Sequence, residues 1–100
     1  MHDLTTYREA IELLDDELID VLTRRAVLVR ALWAHKSLEG LPREDRVREH
    51  AEIARLLDRA EARGLDRDRV EAVLGTVIGH DLLALPLTSG DPPPGPSHLR

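Results

Sequence analysis

Cysteine is absent from this chain. That removes disulfides, thiolate nucleophiles and cysteine metal sites together. Phenylalanine is absent too, and the only aromatic residues are Trp33 and Tyr7. A core built without them must be Leu, Val, Ile and Ala, a palette for packed helices rather than for a β-sandwich. No apolar run is long enough to span a bilayer and no leader-like segment opens the chain, so a cytoplasmic protein without a membrane partner is expected. The net charge is −5, and no basic stripe is unopposed by acids. A nonspecific nucleic-acid binder is therefore not expected. The histidines at positions 2, 35, 50, 80 and 98 show no i, i+4 pairing, so neither a metal nor another cofactor is expected. Lysine is nearly missing as well: Lys36 stands alone against thirteen arginines.

What is present points to helices. The chain has 100 residues, 42% of them hydrophobic, which allows one small folded domain. From position 6 to about 36, Ile11, Leu14, Leu18, Val21, Leu22, Leu28, Val29 and Leu32 recur at helical spacing. Thr6 with Glu9 forms a capping box, or Asp3 starts the helix a turn earlier. Gly40-Leu41-Pro42 breaks the pattern. A second helix is predicted from near Asp45 to just before Gly64, with Ile53, Leu56 and Leu57 as its apolar stripe. Asp66 is the predicted N-cap of a third helix running to Ala84 or Leu85, where Pro86 ends it. Val70, Val73, Leu74, Val77 and Ile78 would form its buried face. Residues 1–87 make the expected helical domain. Residues 88–100, rich in Pro and Gly, read as a disordered or polyproline tail.

A first helix of 31 residues would span roughly 46 Å, whereas a compact domain of this size has a radius of gyration of only about 13 Å. Two shorter helices cannot cover such a rod. A second copy packed antiparallel would cover it, giving an all-α intertwined homodimer of one long and two shorter helices per chain. The alternative is a kinked first helix in a monomeric three-helix bundle.

Arg25 and Lys36 lie eleven residues apart, close to three whole turns, so they share a helix face about 16 Å apart along the axis. A small anionic metabolite fits between two such side chains. Arginine clamps a carboxylate with a planar fork, and lysine adds a compact point charge. Arg8 lies about 25 Å from Arg25 and on another face, so it would reach such a ligand only across a dimer. Asp45, Arg48 and Glu49 fall within one turn at the start of helix 2. There Asp45 is either an N-cap or a hydroxyl acceptor, and Arg48 with Glu49 is either an anion site or a solvated pair.

Together these residues resemble the all-helical (type II) chorismate mutases. That family opens with Arg-x-x-Ile-x-x-(Ile/Leu)-Asp, followed by Leu-x-x-Arg and a lysine eleven residues on. This chain has Arg8-x-x-Ile11-x-x-Leu14-Asp15, then Leu22-x-x-Arg25, then Lys36, and after them Pro42, Asp45, Arg48, Glu49 and Gly64-Leu65-Asp66. The resemblance covers about residues 4–85. It implies an intertwined all-α dimer whose small-molecule substrate is chorismate, rearranged to prephenate in the shikimate pathway of aromatic amino-acid biosynthesis. Arg25 and Arg48 would hold substrate carboxylates, joined by Arg8 of the other subunit. Lys36 would face the ether oxygen, Asp45 and Glu49 the ring hydroxyl, and Leu32 and Ile78 the apolar ring. The reaction is a concerted [3,3] shift that uses no nucleophile, proton transfer, metal or cofactor. It needs a flexible dianion held compact and charge stabilised on the departing oxygen.

Two positions depart from the pattern. Leu85 stands where the family offers a Gln or Glu to the ether oxygen, and Asp81 where a small hydroxyl residue is common. A missing donor of that kind costs about 3 kcal/mol of barrier, roughly a hundredfold in rate. A slow enzyme, an activating protein partner or a related substrate would each account for it. The rival readings are a mutase on 4-amino-4-deoxychorismate, an isochorismate lyase, and a catalytically weak helical dimer module. Having both Asp45 and Glu49 favours a ring hydroxyl, hence chorismate.

Overall fold

The computed structural model describes residues 3–84. They form three helices, α1 (Leu4–Leu38), α2 (Arg46–Ala62) and α3 (Arg67–Val77), with no strand among the described residues. The expected all-α class, with one long and two shorter helices, is what the chain adopts. Leu85, Pro86 and the tail at 88–100 lie outside the described residues.

Helix α1 starts one turn earlier than a Thr6 cap would allow. Asp3 is the N-cap, and its carboxylate accepts from both the Thr6 amide and the Thr6 hydroxyl at 2.9 Å. Those bonds hold the Asp3 carboxyl below its usual range. At the other end Gly40 takes a left-handed φ of 72°, its N–H bonds Ser37 O, and Leu41 N–H bonds Lys36 O. This paired closure satisfies carbonyls that the helix leaves open. Gly64 closes α2 in the same way, through Glu61 O and Ala60 O. Asp66 then caps α3, accepting from Arg69 N–H at 3.0 Å. Arg67 ties the two helices together by pairing with Asp58 and Glu61 of α2.

Helix α1 runs for 35 residues without interruption, about 52 Å of rod. The chain's longest dimension is 56 Å and its radius of gyration is 17.6 Å. Of the helix pairs, only α2 and α3 bring their backbones close together. The buried apolar residues are correspondingly few among the described residues: Ala26, Leu57, Ala60 and Ile78. Along α1, Ile11, Leu14, Leu18, Val21, Leu28 and Leu32 are each 49–69% exposed. Covering the exposed half of each would contribute roughly 1 kcal/mol per residue. One chain leaves that stripe open.

Helix α3 is shorter than its sequence pattern predicts. It ends at Val77, not at Ala84 or Leu85. Ile78 leaves the helix with ψ 128°, and Gly79 follows at φ +83°. Glycine costs about 1 kcal/mol relative to alanine inside a helix, and Gly75 and Gly79 fall one turn apart. Val73, expected in the core, is 61% exposed, while Val70, Leu74 and Val77 are partly buried. Beyond the turn, Asp81 pairs with Arg30 of α1.

Candidate active site

A cavity of about 450 Å³ lies between α1 and α2, with Ile78 and Gly79 forming part of its wall. From α1 it receives Arg25, Val29, Leu32, Trp33 and Lys36. Those positions step by four, three, one and three residues, which keeps them on one helix face. From the start of α2 come Asp45, Arg48, Glu49, Glu52 and Arg55, again one face. The break at residues 39–45 turns the chain back so that the two faces oppose each other, and Arg43 in that loop lines the same cavity.

Of the two roles left open for Asp45, the structure shows the N-cap. It caps α2, its Oδ1 accepting from Arg48 N–H at 3.1 Å, and it also lines the cavity. Arg48 and Glu49 form no ion pair with each other among the described residues. The Glu49 carboxylate instead rests against the Gly79 backbone, where an added Cβ would lie 2.9 Å from Oε1. Lys36 Nζ donates to the Arg43 main-chain carbonyl at 3.3 Å. The Arg43 guanidinium lies 4.2 Å from the centre of the Trp33 ring, a contact worth about 0.5–1 kcal/mol at an exposed site. Glu52 accepts from Arg55 Nε at 2.8 Å. That bond, reinforced by the charges of Arg55, Arg48 and Arg25, holds Glu52 below the usual carboxylate range.

Five cations (Arg25, Lys36, Arg43, Arg48 and Arg55) and three carboxylates (Asp45, Glu49 and Glu52) line the cavity, a net charge of +2. The apolar part of the wall is Val29, Leu32, Ala51 and Ile78. Such a site suits a small dianion with an apolar body and a polar substituent for a carboxylate to hold.

Of the ten residues singled out from sequence, seven meet here: Arg25, Leu32, Lys36, Asp45, Arg48, Glu49 and Ile78. Arg8 does not. It sits seventeen residues before Arg25 on the same uninterrupted helix, about 25 Å away along the axis. Asp81 does not line the cavity either; the ion pair with Arg30 takes it. Leu85 lies outside the described residues. Sequence reading missed Trp33, Arg43, Glu52, Arg55 and Gly79. Helical spacing carried a signal for three of them: Trp33 is one turn before Lys36, and Glu52 and Arg55 continue the row begun by Arg48. Arg43 sits in a loop and Gly79 at an unforeseen helix end, so periodicity spoke for neither.

With this geometry in place, the sequence matches the family model for chorismate mutase type II over residues 7–81. The chain belongs to the type II chorismate mutase family. No curated protein and no solved structure matches it. The match takes in α2, α3 and nearly all of α1, and it includes every residue of the cavity. As a member of this family the chain is an isomerase, and chorismate mutase activity is what the family supports. No helix among the described residues is long and apolar enough to cross a membrane.

Proposed function

We propose that this chain rearranges chorismate to prephenate in the α1–α2 cavity, as an antiparallel homodimer. The observation that carries the reading is the meeting of Arg25, Lys36 and Arg48 with Asp45 and Glu49 around one cavity of net charge +2. Arg25 and Arg48 have guanidinium groups in no hydrogen bond or ion pair among the described residues, and they take the two substrate carboxylates. This holds the flexible dianion in the compact conformer from which the new carbon–carbon bond forms. Lys36 places its ammonium at the ether oxygen, where negative charge grows as the carbon–oxygen bond breaks. Glu49, beside Gly79, and Asp45 accept from the ring hydroxyl. Leu32 and Ile78 enclose the ring. No proton changes hands, so no side chain needs a shifted pKa to act.

The open apolar stripe of α1 supports the dimer. A second α1 running antiparallel covers Leu14, Leu18 and Val21, and it carries the partner's arginine from position 8 toward the far end of this cavity. Cytoplasmic location and a place in aromatic amino-acid biosynthesis go with this reading. The test is to incubate purified protein with chorismate, follow the loss of its absorbance and identify the product. Prephenate supports the reading. Pyruvate release, or no turnover, would replace it with a lyase or a non-catalytic helical dimer.

A further inference from the structure

Two sets of arginines stand out among the described residues. Arg30, Arg46, Arg55 and Arg67 are engaged with carboxylates. Arg25, Arg43 and Arg48 line the cavity with guanidinium groups that make no hydrogen bond or ion pair among the described residues. Arg25 and Arg48 already have a use in the proposed site. Arg43 does not, and three features set it apart from an ordinary surface arginine.

The first is its place. Lys36 Nζ donates to the Arg43 carbonyl, so residue 43 stands at the Lys36 end of the cavity. The second is its orientation. Its neighbour Glu44 pairs with Arg46, whereas Arg43 turns onto Trp33, a half-buried cavity residue one helical turn from Lys36. The third is what the stack leaves free. The ring contact is made by the guanidinium carbon 4.2 Å from the Trp33 centre, and the N–H donors of Arg43 make no hydrogen bond among the described residues. A contact of this kind biases the side chain toward the cavity while leaving its donors for a ligand.

We propose that Arg43 is a substrate-binding residue, stacked on Trp33 so that its N–H edge takes an anionic oxygen of the ligand beside Lys36. An oxygen bound there meets an ammonium and a guanidinium together. This deepens the chorismate reading and rests on it.

Trp33 is the chain's only tryptophan, so its fluorescence reports this end of the cavity directly. Prephenate is titrated into the wild-type protein and into the Arg43→Gln, Arg43→Lys, Trp33→Phe, Trp33→Leu and Arg25→Ala variants. Binding to the two Trp33 variants is read by calorimetry. Steady-state kinetics on chorismate run in parallel. Arg43→Gln is expected to weaken prephenate binding and to lower kcat/KM by about tenfold or more, with the circular dichroism spectrum and Tm unchanged. Arg43→Lys and Trp33→Phe, which keep the charge or the ring, should lose less than Arg43→Gln and Trp33→Leu. If Arg43→Gln binds and turns over within about twofold of wild type while Arg25→Ala is crippled, Arg43 is a surface arginine and only this proposal falls. A wild-type protein that neither consumes chorismate nor binds prephenate overturns the functional reading and this proposal with it.

Discussion

Arg30 grips Asp81 across 51 residues of sequence, Nε to Oδ1 at 3.0 Å and Nη2 to Oδ2 at 2.8 Å. The same Nη2 donates to the Leu83 carbonyl at 3.1 Å, and Leu83 N–H closes back onto Asp81 Oδ1. The segment after α3 is thereby fastened to α1 just beyond Ile78 and Gly79, which line the cavity. A two-pronged arginine–carboxylate pair fixes direction as well as distance.

The pH dependence of this fastening has a definite sign. The Arg30 hydrogen bonds, then the Leu83 N–H, and then the charges of Arg30 and Arg43 hold the Asp81 carboxyl below its usual value of 3.8. A group whose folded pKa is depressed stabilises the fold fully above its unfolded pKa and loses that contribution as pH falls through the folded value. Asp81→Asn should therefore lower Tm at neutral pH, and the difference from wild type should vanish as the solution is acidified through the carboxylate range. A gap that persists in acid would mean the pair contributes through packing, not charge.

Gly79 should resist substitution for two reasons at once. Its φ is +83°, and an added Cβ would meet Glu49 Oε1 at 2.9 Å. Gly79→Ala is expected to cost about 1 kcal/mol or more in stability from the backbone conformation alone. It should also displace Glu49 and raise KM for chorismate. Chemical denaturation and steady-state kinetics check the two effects separately. Gly40→Ala, at a similar φ but with nothing within 4 Å, is the control: it should lose stability and keep KM.

Much of this fold was legible in the chain because helical period, caps and breaks agree with one another. Gly40, Gly64, Asp45 and Asp66 end and start helices where their chemistry requires. The row of Arg25, Lys36, Arg48 and Glu49 was legible for the same reason, since fixed helical spacing puts residues on known faces. The end of α3 was not. Val73, Leu74, Val77 and Ile78 read as one helical stripe that continues to Leu82 and Leu83. Gly75 and Gly79 weaken the stripe locally, but where the chain goes after Val77 is a tertiary matter, Arg30 with Asp81 and Gly79 beside Glu49, which helical period does not encode. Arg43 was hidden likewise, because its place depends on Trp33 across a loop.

The uncovered stripe of α1 leads to a prediction about assembly. Sedimentation at micromolar concentration is expected to show a dimer, and Leu18→Glu should abolish association and folding together, since covering that stripe is what stabilises the rod. A compact monomer would remove the cross-subunit role given to Arg8.

That role has its own test. Arg8→Ala and Arg25→Ala chains should each be nearly inactive as homodimers. Mixed after unfolding and refolding, they should regain activity, because in a heterodimer one of the two sites has both arginines. Mixed dimers that form and stay inactive would falsify the shared site.

The most direct measurement is the turnover of chorismate by wild-type protein beside Lys36→Ala and Lys36→Arg, with prephenate identified as product. If charge develops on the ether oxygen and Lys36 opposes it, Lys36→Ala should lower kcat by about a hundredfold or more with helicity unchanged. Lys36→Arg should recover little, because a planar fork cannot put its charge at the same point. Equal turnover by wild type and Lys36→Ala would contradict the assignment of the α1–α2 cavity as the catalytic site.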